Sequence, residues 1–563
     1  MKFLVLFLLI AQHNVFASND ELLEPTQKNA ALTVDGAGMG WDYLTEDIKY
    51  PPQKITYNEN KKTNDGKYLI PDCFAVESVK VSKYTDLADV IATTYSYVSK
   101  TAKSVKLTAS VTYKNLTVGG AYSKDFFEMV DEQRKTNTVT TRTKYFDHRY
   151  TLLTNTRCPL DSKFIAAVGD LIFAIDMEDE DLATYLSQVL IDDYGTHIVK
   201  KVKIGGEIFS DNFVDESYYN KKKETMTNVQ LSASISFANM ISTTFDSNKT
   251  VSAQEVASFQ QNIVKTVVDA VGGRYLPGMT TKEWAESLDA NMRAFDREAD
   301  LLSNLVLGSN FPMFPMATVF KANGVIQEAI KQYLGLNSID GCLDRSSINY
   351  NPQANFNSGK MCDEIIKFGG FISSSKTCIQ NDFAGGCSQF GNECVANNVI
   401  TNSASCPSGY VARTFTATNP SIKLTVCEGG PGINNGAVLF GGIYSSLANN
   451  PLTGSKSCPP NFRAQSLFDC SDNYICLSTD VNENNIKTAV PFGGFLSNCF
   501  PESPSECPNG LQKILINTIR GCQISYCSKY KDWRRPDLRR PPFVPRPPSY
   551  YKLRFNPYRR LLF

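Results

Sequence analysis

The sequence predicts an α+β fold in which a cysteine-poor domain of mixed helix and strand precedes a disulfide-rich, all-β module. Two observations carry this expectation. The cysteines are unevenly placed: Cys73 and Cys158 precede residue 341, and the other fourteen of the sixteen fall between Cys342 and Cys527. A glycine phrase also recurs in that second part, as FGGFIS from Phe368, FGGIYS from Phe440 and FGGFLS from Phe492, each followed downstream by Cys-Pro at Cys406, Cys458 and Cys507. Three copies of one strand–turn unit imply a pseudo-symmetric module whose small core needs disulfide support.

The chain opens MKFLVLFLLIAQHNVFA, with one lysine, an apolar run over residues 3–11 and small residues near Ala17. That is the form of a secretory signal peptide spanning residues 1–17. No later stretch approaches the roughly 18–20 apolar residues of a transmembrane helix, so the mature chain is expected to be exported and soluble when made. Cysteine use agrees with an oxidising compartment. No two cysteines stand three apart as zinc-ligand pairs do, and both groups are even in number. One bridge is expected from Cys73 and Cys158. Up to seven are expected among Cys342, Cys362, Cys378, Cys387, Cys394, Cys406, Cys427, Cys458, Cys470, Cys476, Cys499, Cys507, Cys522 and Cys527, with the connectivity left open.

Along the chain, residues 18–340 form the mixed domain, 341–367 a short cysteine-containing linker, 368–527 the repeat module and 528–563 a basic tail. Leu182, Tyr185, Leu186, Val189 and Leu190 follow the spacing of an amphipathic helix that ends at Gly195. Residues 198–208 are β-rich up to Gly205-Gly206, a pair that suggests a bend or a close backbone approach. Another helix is expected over 325–334. The first repeat is longer than the others and carries an insertion. The chain has 57 Lys and Arg against 57 Asp and Glu, which gives no general reason to expect nucleic acid as a partner. From Lys529 to Phe563, however, eleven Lys or Arg stand against two Asp, a balance of +9, leaving −9 elsewhere. The proline density and weak apolar periodicity of this tail predict an extended, solvated, disordered segment.

No reaction is indicated. The chain lacks G-x-S-x-G, H-E-x-x-H, G-x-x-x-x-G-K-[ST] and G-x-G-x-x-G. Outside the leader, His148 and His197 are the two histidines, which leaves little for acid–base or metal chemistry, and no cofactor is expected. A hydrolase using carboxylates alone stays open, because paired acids cannot be recognised from one sequence.

Two windows alternate apolar and polar residues. Val105, Leu107, Ala109, Val111 and Tyr113 interleave with Lys106, Thr108, Ser110 and Thr112. Val229, Leu231, Ala233, Ile235 and Phe237 interleave with Gln230, Ser232, Ser234 and Ser236. Period two places the apolar set on one face of a strand. The bland interpretation, favoured by the pattern alone, is a half-buried strand in a soluble sheet. Nine residues is also close to the roughly 9–11 that cross hydrocarbon as a tilted strand. If either window inserts, its edges must be paired in a closed barrel, and a chain with few such strands closes one only with other copies of itself.

Tyr194-Gly195-Thr196-His197, followed by Gly205-Gly206, resembles the signature of the membrane attack complex/perforin (MACPF) family. Segments 92–135 and 216–268 flank it where the family keeps two membrane-inserting clusters, and Gly272-Gly273 in VGGRYLPG matches the hinge glycines after the second. GWDYL, FGGIYSSLANNPLTGSKSCP, AVPFGGF and GCQISYC narrow the resemblance to macrophage perforins within the family. The resemblance implies a bent antiparallel sheet flanked by two helical clusters that unfurl into β-hairpins, and a β-prism-like module touching acidic lipid. It implies a homo-oligomeric ring on bacterial membranes in innate defence, commonly after acidification. His197 is then a structural residue where helix meets bent sheet, with the glycines permitting the bend. A non-lytic adhesion, developmental or egg-coat protein is the principal alternative.

The macrophage perforins that this chain resembles normally continue through a transmembrane helix to a short cytosolic tail, whereas this sequence runs into a basic tail, so a secreted or granule-stored form is expected. The stretch from Cys406 to Phe440 is also shorter, so a long lipid-contacting hairpin is expected to be reduced. Ile198 stands where many relatives have an aromatic residue. Two sequons, at Asn115 and Asn248, fall in the inserting segments, where a glycan is a heavy polar load. An acid trigger would rest on carboxylates, with Asp125, Glu128, Asp131 and Glu132 becoming neutral and cheaper to desolvate. The tail resembles cationic proline-rich antibacterial peptides and would attract anionic envelopes at low salt, or it is a solvated end that adds solubility.

Overall fold

The computed structural model describes residues 36–344, except 85, 86, 95, 99–117, 155, 156 and 246. It also describes 347–557 with gaps, chiefly 382–386, 418–421, 468–471, 500–502 and 529–534. The leader, the window from Val105 to Tyr113 and Asn115 lie outside the described residues.

The mixed domain is built on an antiparallel sheet. β1 (Ala75–Tyr84) and β2 (Asp89–Ile91) both pair with β3 (Thr138–Leu153), which pairs along its length with β4 (His197–Asp215). On its other side β4 pairs first with β6 (Arg293–Leu301), over His197 to Gly205, and then with β5 (Ile263–Val271), over Glu207 to Val214. The partner of β4 therefore changes at Gly205-Gly206.

Helices cover both faces. α1 (Lys124–Thr136) begins at Ser123, whose hydroxyl accepts from the Phe126 amide. α2 (Ser162–Asp176), α3 (Glu180–Tyr194) and α7 (Met316–Leu336) pack together and share one core with Ile198, Val199, Val202 and Ile204 of β4. Asp179 caps α3, and the helix buries Leu182, Leu186 and Leu190 of the expected stripe, with Tyr185 and Val189 half-buried and Ile191 buried in addition. α7 starts nine residues before the expected 325, directly after Pro315, whose fixed φ suits a helix entry. Among the described residues no helix is long and apolar enough to cross a membrane.

The second alternating window is not a strand here. It lies within α4 (Met226–Met240), which packs with α5 (Ala253–Gln261) and against β3. Val229, Leu231, Ala233 and Phe237 are buried, Ile235 is half-buried, and Ser232, Ser234 and Ser236 are buried with them. A helix enclosed on nearly all sides needs no polar face, and its Ser and Ala side chains are small enough to allow this. Tertiary packing has overridden the β-type pattern.

The repeat module has three sheets with one plan. Each FGG strand, β7 (Phe368–Asn381), β11 (Leu439–Ser445) or β14 (Phe492–Ser497), pairs with the last strand of its repeat, β10 (Ile422–Gly429), β13 (Asn473–Ser478) or β16 (Cys522–Ser528). The middle strands β9 (Tyr410–Ala417), β12 (Arg463–Ser466) and β15 (Gln512–Ile519) lie outside these. The insertion in the first repeat is β8 (Cys387–Ala396), a fourth strand on the outer side of β7. Gly370, Gly442 and Gly494 all take φ near +90° at the same step of their strands. Phe368, Phe440 and Phe492 meet at the centre, with ring centroids 4.8, 5.1 and 6.4 Å apart.

Disulfides follow the same symmetry. Cys406–Cys427, Cys458–Cys476 and Cys507–Cys527 tie each Cys-Pro turn to the last strand of its repeat. Cys342–Cys362 closes the linker and Cys73–Cys158 joins the start of β1 to the loop before α2. Cys394 and Cys499 are also disulfide-bonded.

The tail corrects its expectation. Residues 535–557 are docked on the mixed domain as a strap, with Leu553 buried and Leu538, Phe543 and Tyr550 packed against the main core. Phe543 stacks on Tyr333 of α7, and Tyr550 meets Tyr185 of α3 edge-on. Gln188 Oε1 accepts from the Phe543 amide at 2.6 Å, and Asn556 donates to Asp170 of α2 at 2.7 Å. An extended segment anchored by single side chains needs no apolar period, and its prolines lower the entropy lost on docking.

Candidate functional site

Tyr194, Gly195, Thr196 and His197 form the corner where α3 turns into β4. Gly195 takes φ 75°, and a Cβ there would lie 2.5 Å from the Trp41 carbonyl carbon. Thr196 is fully buried; its amide donates to Trp41 O at 3.0 Å and its Oγ1 accepts from the Tyr43 amide at 3.1 Å. Thr196 Oγ1 lies 2.7 Å from His197 Nδ1, and the imidazole packs against the rings of Trp41 and Tyr43. Burial pushes His197 down to about 3, so it stays neutral. Its surroundings are those of a packed structural group. His148 is also lowered, by burial first and by Lys203 second.

The second pair of sequence-marked glycines joins the first. A Cβ on Gly205 would lie 2.0 Å from Asp147 O, and one on Gly206 would lie 2.5 Å from Leu288 Cδ2. Gly272 and Gly273 take φ 77° and 64°. Trp284, fully buried in α6 (Thr281–Ser287), wedges between the pairs and donates from its indole N–H to Gly272 O at 3.1 Å. The sequence carried no motif for Trp284; its proximity to VGGRYLPG was the available signal.

Above this bend, each face of the sheet holds a helix differently. On one face α1 is clamped by charge. Arg142 of β3 makes two hydrogen bonds to Asp125, at 2.7 and 3.0 Å, and two to Asp211 of β4, at 2.7 and 2.6 Å. Tyr97 donates to Asp125 at 2.8 Å. Glu132 pairs with Lys265 of β5 at 2.9 Å, Glu128 with Lys124 at 3.6 Å, and Asp131 with Arg535 of the strap. All four suspected acid-trigger carboxylates thus hold cations. Burial alone would raise the Asp125 carboxyl, but the Arg142 guanidinium outweighs it and holds Asp125 below its ordinary value. Asp125 therefore does not become neutral in mild acid. Glu46 is raised instead, by burial first and by the nearby Asp125 second.

The opposite face carries polar groups of which several have no partner among the described residues. Thr141 and Thr143 of β3 stand in register with Asn212 and Ser210 of β4. The hydroxyls of Thr141, Thr143 and Ser210, the Asn212 amide nitrogen and the Ser232 hydroxyl of α4 are buried without a hydrogen-bond partner among the described residues. Each such group costs about 1–3 kcal/mol. Strand alternation puts Val214 on this same face, and Val214 packs with Val229 and Ala233 of α4 and Phe259 of α5. Asn248 lies exposed in the loop between α4 and α5.

A sequence model of the MAC/Perforin domain matches residues 30–343, more than half of the chain. Among solved structures, the chain is similar to GNIP1Aa from Chromobacterium piscinae, with 14% identity, TM-score 0.37, and 87% of this chain and 86% of that one covered. It is also similar to a putative cell invasion protein with a MAC/Perforin domain from Bacteroides thetaiotaomicron, with 10% identity, TM-score 0.33, and 66% and 68% covered. Astrotactin-2, a vertebrate perforin-like membrane protein involved in neuronal development, shows 11% identity, TM-score 0.28, and 53% and 100% covered. The assignment rests on the sequence model and on the signature corner and paired glycines: this chain belongs to the MAC/Perforin domain family.

Proposed function

We propose that this chain is a secreted pore-forming protein of innate defence, closest in kind to the macrophage perforins. It assembles as a homo-oligomeric ring on anionic, bacterial membranes and inserts β-hairpins, without enzymatic activity or a cofactor. It resides in the extracellular space or a phagosomal lumen until it engages its target.

One observation carries this. β4 and β5 are antiparallel neighbours, paired up to Val214 and Ile263, and residues 216–262, with α4, connect their ends. Refolded as a strand pair, this segment continues an existing ladder, and the alternation of Val229, Leu231, Ala233, Ile235 and Phe237 supplies the lipid-facing side. The other connection repeats the plan, since β2 and β3 pair at Ile91 and Thr140 and α1 lies in the segment between them.

Dye release from anionic and neutral liposomes, at about pH 7 and about pH 5, tests the proposal on either side of where perturbed carboxylates titrate. Rapid release on anionic lipid is expected. Binding without release would favour a non-lytic surface-binding protein, which the exposed sequon at Asn248 in the inserting segment also favours.

A further inference from the structure

The seam of Thr141, Thr143, Ser210 and Asn212 stands out because three hydroxyls and the Asn212 amide nitrogen are buried without a protein partner among the described residues, while the charged and amide groups of the opposite face of the same strands are paired. Arg142 makes four charge-assisted hydrogen bonds, Lys144 meets Glu207 at 2.9 Å, and Gln133 donates to both Ile91 O and Thr140 Oγ1 at 2.8 Å. On the seam side, Thr266 donates to Asn212 Oδ1 at 2.8 Å, which leaves the Asn212 nitrogen unpaired. The helix above contributes Ser232, whose hydroxyl is likewise unpaired. α4 bonds to its surroundings beside the seam: Ser234 Oγ accepts from the Ala88 amide at 3.0 Å, Gln230 donates to Ala88 O at 2.9 Å, and Ser236 Oγ accepts from Gln260 of α5 at 3.3 Å.

Buried polar groups without partners are rare in folded proteins, and a well-packed soluble domain would place valine or alanine at such positions. Threonine and valine have the same shape, so nothing in the packing of β3 requires a hydroxyl at 141 or 143. Departure of α4 from the sheet would open these groups to water, which satisfies them. We propose that the Thr141–Thr143–Ser210–Asn212 seam is a stretch of the water-lined wall of the assembled pore, covered while α4 is stored on it. The same four residues then weaken the hold of the sheet on α4, so the soluble form is stored at a disadvantage that assembly relieves. This inference rests on the pore-forming function proposed above.

The test uses the mature full chain carrying Thr143→Cys, with Ser210→Cys, its register partner on β4, as a second variant. Every cysteine among the described residues is disulfide-bonded, so the introduced thiol is the reporter. A charged, water-soluble thiol reagent is added to the soluble protein and, in parallel, to protein on dye-loaded anionic liposomes. Labelling at least about tenfold faster on the liposomes is expected, as for a site that changes from protected to permanently open. Dye release without faster labelling of either thiol would overturn the seam proposal and leave the pore standing. Absence of dye release would overturn the pore itself. Thr141→Val combined with Ser210→Ala is expected to raise the melting temperature of the soluble form and slow dye release. An unchanged or lower melting temperature would overturn the stored disadvantage.

Discussion

The side-chain amide of Asn337 pairs with the backbone of Arg539 as a neighbouring strand would, donating to its carbonyl at 2.9 Å and accepting from its amide at 2.8 Å. The chain leaves α7 and returns in the strap at this one point, 202 residues apart. Deleting residues 529–563 should therefore destabilise the mixed domain itself. Uncovering the sites of Leu553, Phe543 and Tyr550 forfeits about 1.5–3 kcal/mol for each side chain that is fully buried. A fall of several degrees in melting temperature is expected. An unchanged melting temperature, with only weaker binding to anionic vesicles, would return the tail to a solvated role.

Acid should act on this chain without its histidines and without Asp125. His197, held near 3, titrates below the range between pH 7 and pH 5. A carboxyl lowered in the folded state, as Asp125 is, contributes stability that is present above its unfolded value, near 3.9, and is lost as pH falls further. A raised carboxyl, as Glu46 is, does the reverse: its contribution is complete in acid and is lost as pH rises through its folded value. The α1 clamp should thus hold at pH 5. Asp125→Asn should loosen α1 at pH 7, seen as faster amide exchange over residues 124–136, while leaving any acid dependence of lysis in place. Loss of that dependence in the variant would show that Asp125 is the sensor.

The bend should depend on Trp284 more than on any signature residue. Trp284→Ala removes the largest fully buried side chain and leaves Gly272 O unbonded, a loss of about 3–5 kcal/mol. Gly206→Val would meet Leu288 and Trp284 and should be worse tolerated than Val at the exposed Gly324 of α7, which has an ordinary helical φ and no atom within 4 Å. Chemical denaturation of the three variants gives the ranking.

The repeat module offers a comparison by symmetry. Asn398 donates to Gly369 O at 2.8 Å and Asn450 to Gly441 O at 2.9 Å, while each Oδ1 accepts from the amide two residues on. In the third repeat Cys499 stands at this position, eight residues before Cys507 as Asn398 and Asn450 stand before Cys406 and Cys458, and the neighbouring Asn498 accepts from the Gln523 amide. Asn398→Ala and Asn450→Ala should each cost about 2–3 kcal/mol, because a buried amide and its partners are left unsatisfied. Asn498→Ala should cost less. Equal losses at all three would remove the distinction.

The sequence made the frame legible wherever one physical rule acted alone. The apolar stripe of α3 faces a single neighbour group, and the FGG phrases fold alike because each repeat solves the same packing problem. It misled where two rules conflicted. Residues 229–237 carry a strand pattern in a helical setting, and the small Ser and Ala side chains let packing decide. The strap escaped because Leu538, Phe543, Tyr550 and Leu553 dock singly at irregular spacing. Arg142 and the seam escaped because a charge or a threonine on a strand looks the same in sequence whether it is paired, dry or wet.

The clasp at Asn337 and Arg539 has a mechanical consequence. The repeat module is a loop closed at its base, not a bead on the end of a string, so a load on it is shared between two connections in parallel. A protease that nicks one connection leaves the module attached through the other, and the severed strap stays seated by its own anchors. Shedding the module takes two cuts.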